Sequence, residues 1–322
     1  MKAIVIHEFG DASQLSYEDA PLPEPKPGEL RVKVAAIGMN FADIYARRGW
    51  YPSATPFVPG NEFAGTVDKV GAGVTEFKPG DRVGTASGST AYAEYALAPA
   101  MRTAKLPDEV SYEQAAALLE QGLTAHYLAV STYPLKAGDT ALVHAAAGGV
   151  GQILVQIAKQ RGATVIGTVS TAQKAQIARA LGADEVILYS QQDFEAETRR
   201  LTGGKGVDVV YESVGKDTFE KSLNCLKPRG LMALYGQSSG KVEPQDPQIL
   251  NRKGSLFLTR PTLAHHLQTR EEFLWRANDL FIWTASGALK VRVDQTFPLA
   301  HTAAGQTYME ERRTLGKVLL VP

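Results

Sequence analysis

Short runs in which hydrophobic and polar residues alternate mark the first third of the chain. Examples are LRVKVAAI at 30–37 and FAGTVDKV at 63–70, and segments rich in proline and glycine, such as PLPEPKPGE and FKPGDRVG, separate the runs. A period of two residues is typical of strands that bury one face, and proline and glycine mark the turns between them. The pattern predicts a strand-rich domain over residues 2 to about 120 that resembles an irregular barrel.

A different pattern begins at about Thr124 and continues to residue 260. Apolar strands, glycine turns and amphipathic helices follow one another several times, which is typical of a doubly wound α/β domain. The predicted strands, enough for one Rossmann sheet, are 140–145, 164–169, 185–189, 207–211, 231–235 and 255–259. After Pro261 a helical stretch leads to short strands near RVDQTFPL and GKVLLVP, and we expect this tail to rejoin the first domain.

The composition narrows the class of protein. The chain has 322 residues, which favours two domains, and its 34 basic and 34 acidic residues give no net charge that would attract nucleic acid or an anionic membrane. Neither a signal peptide nor an apolar run of membrane-spanning length is visible, so a cytoplasmic location is expected. Cys225 is the only cysteine, so no intrachain disulfide or multi-cysteine metal site can form.

The segment ALVHAAAGGVGQILVQIAK carries the strongest local signal for a ligand site. Ala146, Gly148 and Gly151 occupy the three glycine positions of the G-x-G-x-x-G dinucleotide motif, and Gly149 and Val150 lie between them. A buried strand precedes the motif and a helix follows it, as pyrophosphate binding at a helix N-terminus requires. The alternative is a tight strand-to-helix turn without a ligand, and the βαβ context favours the cofactor site.

The end of the next predicted strand indicates which nicotinamide cofactor fits. An NAD enzyme offers an acidic residue there to the ribose 2′-hydroxyl, and this chain has Ser170 instead, with Lys174 in the helix that follows. Hydroxyls, helix-start amides and an ammonium suit a 2′-phosphate, so the sequence favours NADPH over NADH. Lys174 taken alone fits a solvated helix residue equally well, but the missing acid supports the phosphate role.

Eight segments follow one another in an order that is known from one family. They are NFADIYARRG, PGNEFAGTVDKVGAGVTEFKPGDRV, EQAAALLEQGLTAHYL, HAAAGGVG, GTVSTAQKAQ, GVDVVYESVGKDTFEKSL, GLMALYGQSSG and KGSLFLTRPTL. Over its full length the chain resembles the zeta-crystallin-like NADPH:quinone oxidoreductases, a zinc-free branch of the medium-chain dehydrogenase/reductase superfamily. The resemblance implies an α/β fold: a GroES-like irregular β-barrel catalytic domain, residues 1–123 and 264–322, and a doubly wound Rossmann NADPH-binding domain, residues 124–263.

The resemblance also assigns residues to the site. The nicotinamide end would be lined by Asn40, Tyr45 and Thr124, and Tyr189 with Lys174 would hold the adenosine phosphate end. Two turns would flank the cofactor, one formed by Ser213, Val214 and Gly215 and the other by Gly236, Gln237 and Ser238. Lys317, near the last predicted strand, is carried over as a further cofactor contact.

Zinc-dependent relatives carry a cysteine and a histidine at the positions of Asn40 and Asn61. Neutral amides are poor zinc ligands, so the sequence predicts no metal site. Without a Lewis acid, a simple ketone or alcohol is a poor substrate, whereas a quinone or an enone accepts hydride readily. Asn40 and Tyr45 are the candidate catalytic residues, which would position the substrate and hydrogen-bond its oxygen; Tyr45 fits equally well as a partly buried tyrosine at a domain interface.

The leading hypothesis is an NADPH:quinone oxidoreductase that acts on a small-molecule quinone or enone. An NADPH-dependent alkenal or enone reductase is the alternative within the family, and a non-enzymatic crystallin-like or nucleic-acid-binding protein is the alternative of another class. Zero net charge and the lack of a basic aromatic stripe argue against nucleic acid. We expect a homodimer formed through the apolar edge strand at 256–259, and packed rather than reactive roles for His144 and Cys225.

Overall fold

The computed structural model describes residues 1–51 and 54–322. They form two compact units: unit 1 comprises Met1–Leu123 and Leu267–Pro322, and unit 2 comprises Thr124–His266. The chain therefore leaves unit 1, builds unit 2 and returns to unit 1. The sequence places a catalytic domain at 1–123 and 264–322 and a cofactor-binding domain at 124–263, and this assignment of roles stays a prediction.

The described residues form the following strands and α-helices. The strands are β1 (Lys2–Ile6), β2 (Leu15–Asp19), β3 (Glu29–Gly38), β4 (Glu62–Val70), β5 (Arg82–Thr85), β6 (Tyr95–Pro99), β7 (Thr103–Lys105), β8 (Thr140–Val143), β9 (Thr164–Val169), β10 (Glu185–Leu188), β11 (Val207–Glu212), β12 (Leu226–Leu234), β13 (Phe257–Thr259), β14 (Val293–Pro298) and β15 (Lys317–Val321). The α-helices are α1 (Phe41–Arg47), α2 (Tyr112–Tyr127), α3 (Gly149–Gln160), α4 (Ala172–Ala180), α5 (Phe194–Leu201), α6 (Phe219–Cys225), α7 (Gln248–Arg252), α8 (Arg270–Ala285) and α9 (Thr302–Glu310). None of these described helices is long and apolar enough to cross a membrane.

Unit 1 is built around a mostly antiparallel sheet with the strand order β14-β15-β3-β4-β5-β7, and β6 also pairs with β3. In β3 the side chains of Leu30, Val32 and Val34 are buried, and those of Arg31 and Lys33 between them are more exposed. This alternation places one face of the strand in the core. The runs at 30–37 and 63–70 lie within β3 and β4, which confirms both predicted strands. β15 pairs with β3, so the tail rejoins the first unit as expected.

Unit 2 contains a parallel six-stranded sheet with the order β10-β9-β8-β11-β12-β13. The chain moves outward from β8 to β9 and β10, then crosses back to place β11 on the other side of β8. In doubly wound sheets, ligands bind at the carboxyl ends of the strands where the order reverses. The loops after β8 and β11 therefore lie where such a sheet binds a nucleotide.

Two strands of unit 2 begin at a different residue from the one predicted, and β8, β10 and β11 end one or two residues away from the predicted end. The strand predicted at 231–235 begins earlier, since Leu226 already pairs with Val207 before the register shifts. The strand predicted at 255–259 begins later, at Phe257. Arg229 and Ser255 have positive φ angles of 64° and 56°, so the backbone turns locally at both. A pattern of polar and apolar residues does not reveal such left-handed positions in residues other than glycine.

Candidate functional site

Four polar side chains meet inside unit 1, and we call them the Lys317 cluster: Asn40, Glu62, Glu120 and Lys317. The sheet register brings three of them together, because Gly38 at the end of β3 pairs with Glu62 of β4 and with Leu319 of β15. Glu120 comes from α2. The exposed fraction is 0% for Glu62, 2% for Lys317 and 6% for Asn40, whereas Glu120 is only partly buried.

Hydrogen bonds use both ends of the Asn40 side-chain amide. Lys317 Nζ donates to Asn40 Oδ1 at 2.7 Å and to Glu62 Oε2 at 2.6 Å. Asn40 Nδ2 donates to Glu62 Oε2 at 2.8 Å and to Glu120 Oε2 at 2.9 Å. An amide nitrogen carries two hydrogens. A bond from Asn40 to the oxygen of a substrate, as the sequence predicts, would therefore have to replace a bond to a carboxylate.

The backbone of β3 lies close to Glu62 and to α2 at Gly38, and this contact shapes the cluster. A Cβ at Gly38 would overlap Glu62 Oε2 and the carbonyl oxygen of Ala116 on α2. Glu62 Oε1 also accepts a bond from the backbone amide of Glu120 at 2.7 Å. Glycine at position 38 thus allows α2 to pack against the ends of β3 and β4, with Glu62 joining the strand to the helix.

Burial raises the pKa of two carboxyl groups near this cluster. Asp43 on α1 accepts bonds from the Asn40 backbone amide and from the Tyr92 hydroxyl, both at 2.8 Å. Burial nevertheless raises the pKa of Asp43 to about 6. Burial also raises the pKa of Glu120 well above its usual range, and the negative charges of Glu62 and Asp43 raise it further. The neutral form of each group is favoured because the buried anion is poorly solvated.

Tyr45 also lies on α1, within a group of aromatic rings. Its side chain is 7% exposed, stacks on Trp50 with ring centroids 5.2 Å apart, and meets Tyr51 edge-on at 5.8 Å. Aromatic neighbours at these distances stabilise a buried ring. This packing suits the alternative of a partly buried tyrosine, and a catalytic role for Tyr45 stays a prediction.

The predicted glycine motif lies between β8 and α3. Gly148 is the N-cap of α3, so the amides of residues 149–151 form its first turn. Such amides have no acceptor within the helix and can bind phosphate oxygens. A Cβ at Gly151 would overlap the carbonyl oxygen of Ala145, which explains the glycine. Ala146 is fully buried, and the left-handed residue of the turn is the preceding Ala145, with φ of 49°.

The residues predicted to hold the 2′-phosphate lie at the carboxyl ends of β9 and β10. The amide of Tyr189 donates to the carbonyl oxygen of Val169 at 3.1 Å, which joins the two strand ends. Ser170 follows β9, and the Thr171 hydroxyl then caps α4 by accepting from the Lys174 amide at 3.2 Å. The Tyr189 side chain is 42% exposed. The structure therefore brings Ser170, Lys174 and Tyr189 to one edge of the sheet.

The two turns predicted to flank the cofactor are bonded to each other. Residues 213–215 follow β11 and residues 236–238 follow β12. The amide of Ser238 donates to the carbonyl oxygen of Ser213 at 3.2 Å, and a Cβ at Gly236 would lie 2.6 Å from the same oxygen. The turns therefore pack without space for a side chain at position 236. Thr124, predicted at the nicotinamide end, is partly buried on α2.

A second buried polar group supports the strand ends of unit 2, and we call it the His144 cluster: His144, Thr168, Glu212 and Ser222. His144 directly follows β8. Its Nδ1 lies 2.9 Å from the Thr168 hydroxyl and its Nε2 lies 2.9 Å from the Ser222 hydroxyl. The prediction of a packed, hydrogen-bonded histidine is confirmed, since His144 is 1% exposed. Burial lowers the pKa of His144, so the imidazole stays neutral near physiological pH.

Glu212, the last residue of β11, connects the His144 cluster to the turn at 213–215. Its Oε2 accepts from the Ser222 hydroxyl at 2.5 Å. Its Oε1 accepts from the backbone amides of Val214 at 2.7 Å and Gly215 at 3.1 Å. A carboxylate that receives two successive amides fixes the course of the backbone there. The cluster thus joins the carboxyl ends of β8, β9 and β11.

Sequence reasoning missed Glu62, Glu120 and Glu212 as members of these groups. A usable signal exists for Glu120, which interrupts the apolar helix segment AAALLEQGL.

Within residues 1–51 and 54–322, no three His, Cys, Asp or Glu side chains are grouped to hold a metal ion. Cys225 is 0% exposed, and burial raises its pKa to about 12, which confirms a packed thiol.

Comparisons with known proteins agree with both units. Residues 26–108 match the alcohol dehydrogenase GroES-like domain, and residues 149–274 match the zinc-binding dehydrogenase family. A 2-haloacrylate reductase from Burkholderia is 45% identical over 99% of this chain and 98% of its own length. Quinone oxidoreductase 1 from Escherichia coli is 46% identical over 99% of each chain. A mycobacterial protein solved in complex with NADPH is 50% identical over the whole of both chains, with a TM-score of 0.98.

These matches confirm the predicted fold class. The GroES-like match lies in the antiparallel sheet of unit 1, and the other match begins at α3, where the glycine motif opens the first helix of the parallel sheet. An α/β fold with a GroES-like and a Rossmann-type domain is therefore established for this chain.

Proposed function

The chain belongs to the quinone oxidoreductase family of the medium-chain dehydrogenase/reductase superfamily, and on that basis we propose that it catalyses the NADPH-dependent reduction of quinones. The proposal depends on one observation, the groups at the strand ends of unit 2, which share one edge of the sheet. These groups are the amides that open α3, the hydroxyls and the Lys174 ammonium near the start of α4, and the paired turns at 213–215 and 236–238. The relatives are oxidoreductases, so we prefer an enzyme to the alternative of a non-enzymatic crystallin-like or nucleic-acid-binding protein. The narrower likeness to zeta-crystallin stays a prediction.

NADPH, when bound, supplies a hydride to the acceptor. We assign its pyrophosphate to the turn formed by Ala146, Gly148, Gly149, Val150 and Gly151, whose amides open α3. Ser170, Lys174 and Tyr189 are assigned to the 2′-phosphate. The nicotinamide end is assigned to Thr124, to residues 213–215 and to residues 236–238. The mycobacterial relative solved with NADPH supports this cofactor.

We propose that the reaction needs no zinc. Lys317 Nζ lies within 2.7 Å of Asn40 Oδ1 and 2.6 Å of Glu62 Oε2, so an ammonium supplies the positive charge at this place. A metal ion bound to the same oxygens would face that ammonium directly. Purified protein should contain no stoichiometric zinc and should keep its activity in a chelator. Tightly bound zinc whose removal abolishes turnover would contradict this.

A second candidate substrate class is favoured by one comparison. The Burkholderia relative is named a 2-haloacrylate reductase. A haloacrylate, like an enone, has a carbon–carbon double bond conjugated to a carbonyl group. Hydride transfer to such a bond or to a quinone places negative charge on oxygen, so the same site can serve both acceptors.

A panel of acceptors tests the proposed function. The protein is assayed with NADPH and with NADH against one quinone, one enone, one 2-haloacrylate and one simple ketone, and the loss of nicotinamide absorbance is followed. We expect quinones to react fastest, conjugated double bonds more slowly and the ketone hardly at all, with NADPH preferred. Ready turnover of the ketone with inert quinones would refute the proposal.

Asn40 and Tyr45 are proposed to position the acceptor. The Asn40 amide is held by Lys317 on one side and by Glu62 and Glu120 on the other, so its orientation is fixed before a substrate binds. We propose that Lys317 acts through Asn40 rather than as a direct cofactor contact. Asn40→Ala should raise the barrier for kcat/KM by about 1 to 3 kcal/mol with a quinone. A similar loss in Tyr45→Phe would favour a catalytic hydroxyl, and no loss would favour a packed ring.

We also propose a cytoplasmic homodimer. β13 is the edge strand of the unit 2 sheet, and Phe257 and Leu258 on it are 60% and 39% exposed. Pairing β13 with its counterpart in a second copy would cover this apolar edge. Light scattering at micromolar concentration should give twice the chain mass. The free, buried thiol of Cys225 suits a reducing compartment.

A further inference from the structure

Hydride transfer to a quinone leaves negative charge on oxygen, and a proton must follow to complete the hydroquinone. We propose that Glu120 donates this proton. The inference rests on the proposed function and adds a residue to it that the sequence did not suggest. Three observations support the proposal. The other groups that could carry a proton are hydrogen-bonded to the protein, Glu120 is partly exposed, and the charges around Glu120 favour its protonated form.

The other proton carriers near Glu120 are bonded to protein groups. Lys317 Nζ donates to Asn40 and Glu62, and its side chain is 2% exposed. The Tyr92 hydroxyl donates to Asp43 Oδ2 at 2.8 Å, and Tyr92 is 0% exposed. A group that passes a proton to a ligand must reach that ligand. Glu120 is the member of the Lys317 cluster with appreciable exposed surface.

The charge balance favours a proton on Glu120. Three carboxyl groups face one another from three elements, Glu62 of β4, Asp43 of α1 and Glu120 of α2, and one ammonium, Lys317 of β15, lies among them. Lys317 lies 2.6 Å from Glu62 and offsets its charge. Among the described residues, the hydrogen bond to the Glu120 carboxyl comes from Asn40 Nδ2.

A further negative charge beside Glu62 is unfavourable, because Glu120 is partly withdrawn from water and the Lys317 ammonium is already paired with Glu62. The raised pKa of Glu120 agrees with this reasoning. Tyr92 faces the group as a neutral hydroxyl, and its own pKa is raised well above the usual range by burial and by Asp43. Glu120 is therefore a carboxylic acid at the pH of the reaction.

The proposed step breaks the O–H bond of the Glu120 carboxylic acid and forms an O–H bond on the reduced acceptor, which has already taken up two electrons with the hydride. Glu120 is left as a carboxylate near Glu62, and this repulsion favours its reprotonation from water at its exposed side. Asn40 Nδ2, 2.9 Å from Glu120 Oε2, orients the carboxyl group before the transfer.

Glu120→Gln is the main test, because the amide keeps the size of the side chain and an oxygen acceptor for Asn40 but carries no transferable acid proton. We expect kcat with a quinone to fall about 100-fold while NADPH affinity is unchanged. The decline of kcat on the alkaline side of the pH profile should also disappear. Glu113→Gln changes an exposed carboxyl on the same helix and should leave kcat as in the wild type.

Infrared spectroscopy of the ligand-free protein gives a readout that does not depend on turnover. At pH 8, above the pKa of about 6 for Asp43, the wild type should show a carboxylic acid band that Glu120→Gln lacks. Its absence from the wild type overturns the inference even if the variant does not fold. A variant with full kcat overturns it as well. A wild type that shows the band but reduces no quinone refutes the proposed function, and the donor role with it.

Discussion

The Lys317 cluster of unit 1 and the His144 cluster of unit 2 are both buried, and their polar groups are satisfied in different ways. In unit 1 an ammonium faces a carboxylate, with Lys317 Nζ 2.6 Å from Glu62. In unit 2 the neutral His144 lies between two hydroxyls, and the Glu212 carboxylate receives backbone amides. The ion pair in unit 1 places ionisable side chains next to one another. In unit 2 the hydrogen-bonded network ends on backbone amides, so it fixes the backbone. The first arrangement suits proton chemistry and the second suits the support of turns.

The two clusters also respond to pH in opposite directions. Burial raises the pKa of Asp43 and of Glu120, whose charged forms are anions. Burial lowers the pKa of His144, whose charged form is a cation. In each case the neutral form is favoured in the folded protein. Unit 1 should therefore lose stability towards alkaline pH and unit 2 towards acid pH.

Removing the charge pair should have the largest effect. Lys317→Met leaves Glu62 as a buried carboxylate without its ammonium, so the free energy of unfolding should fall by about 3 to 5 kcal/mol. Urea unfolding at pH 7 measures this. In the control Lys69→Met, the lost partner is Glu24 in an exposed pair, and the change should stay below about 1 kcal/mol. Equal losses in the two variants would contradict a special role for the buried pair.

Asp43→Asn tests the alkaline response of unit 1. Burial raises the pKa of Asp43 to about 6 in the folded protein, above the ordinary aspartate value of 3.8. Its stabilising contribution is therefore complete below about pH 4 and is lost as the pH rises through about 6. The stability of the wild type relative to Asp43→Asn should fall by about 2 kcal/mol between pH 4 and pH 7, since each unit of difference between the folded and unfolded pKa is worth about 1.4 kcal/mol over the full titration. A difference that does not change with pH would show that Asp43 titrates normally.

His144→Leu tests the acid response of unit 2. The variant leaves the hydroxyls of Thr168 and Ser222 without the imidazole, which should cost about 1 to 3 kcal/mol at pH 8. The pKa of His144 is lowered from 6.5, so its contribution is present above pH 6.5 and is lost as the pH falls through the folded value. The gap between wild type and variant in urea unfolding should therefore narrow at pH 5. A gap that widens on acidification would have the wrong sign.

The smallest expected effect concerns a half-buried charge at a helix start, which contrasts with both buried clusters. Lys174→Ala removes an ammonium from the first turn of α4 and should weaken NADPH binding about tenfold, because a charge-assisted bond to phosphate contributes about 1.5 kcal/mol. NADH affinity should not change. Arg179→Ala, in the last turn of the same helix, should affect neither cofactor. Fluorescence titration checks all three, and an equal loss of NADH binding in Lys174→Ala would contradict the phosphate role.

The main elements of unit 2 could be predicted because their signals are local. The predicted bounds of β9 agree with the structure, since TVIGTV is a short apolar run between a glycine turn and a polar helix start. The glycine motif, its strand and its helix are consecutive in the chain. The two strand starts that differ, those of β12 and β13, lie near the left-handed residues Arg229 and Ser255, and a pattern of polar and apolar residues does not reveal such backbone angles.

The Lys317 cluster could not be predicted in the same way, because its members come from four distant segments. The pairing of β3 with both β4 and β15 brings Asn40, Glu62 and Lys317 together. In the sequence, Glu120 interrupts an apolar helix segment, but nothing there identifies its partners. Its contact with Asn40 depends on how closely α2 approaches Gly38. The predicted cofactor role of Lys317 came from resemblance alone, which carries no information about its partners.

The pairing of Lys317 with Glu62 also limits the mutational paths open to this chain. A single replacement of either residue leaves a buried charge without its counter-charge, whereas apolar residues at both positions can be nearly neutral or even stabilising. The two sites should therefore be epistatic: each single mutant should be less stable than either the parent or the double mutant. A laboratory evolution library that varies both positions together should recover folded proteins, and one that varies them separately should mostly return the parental residues.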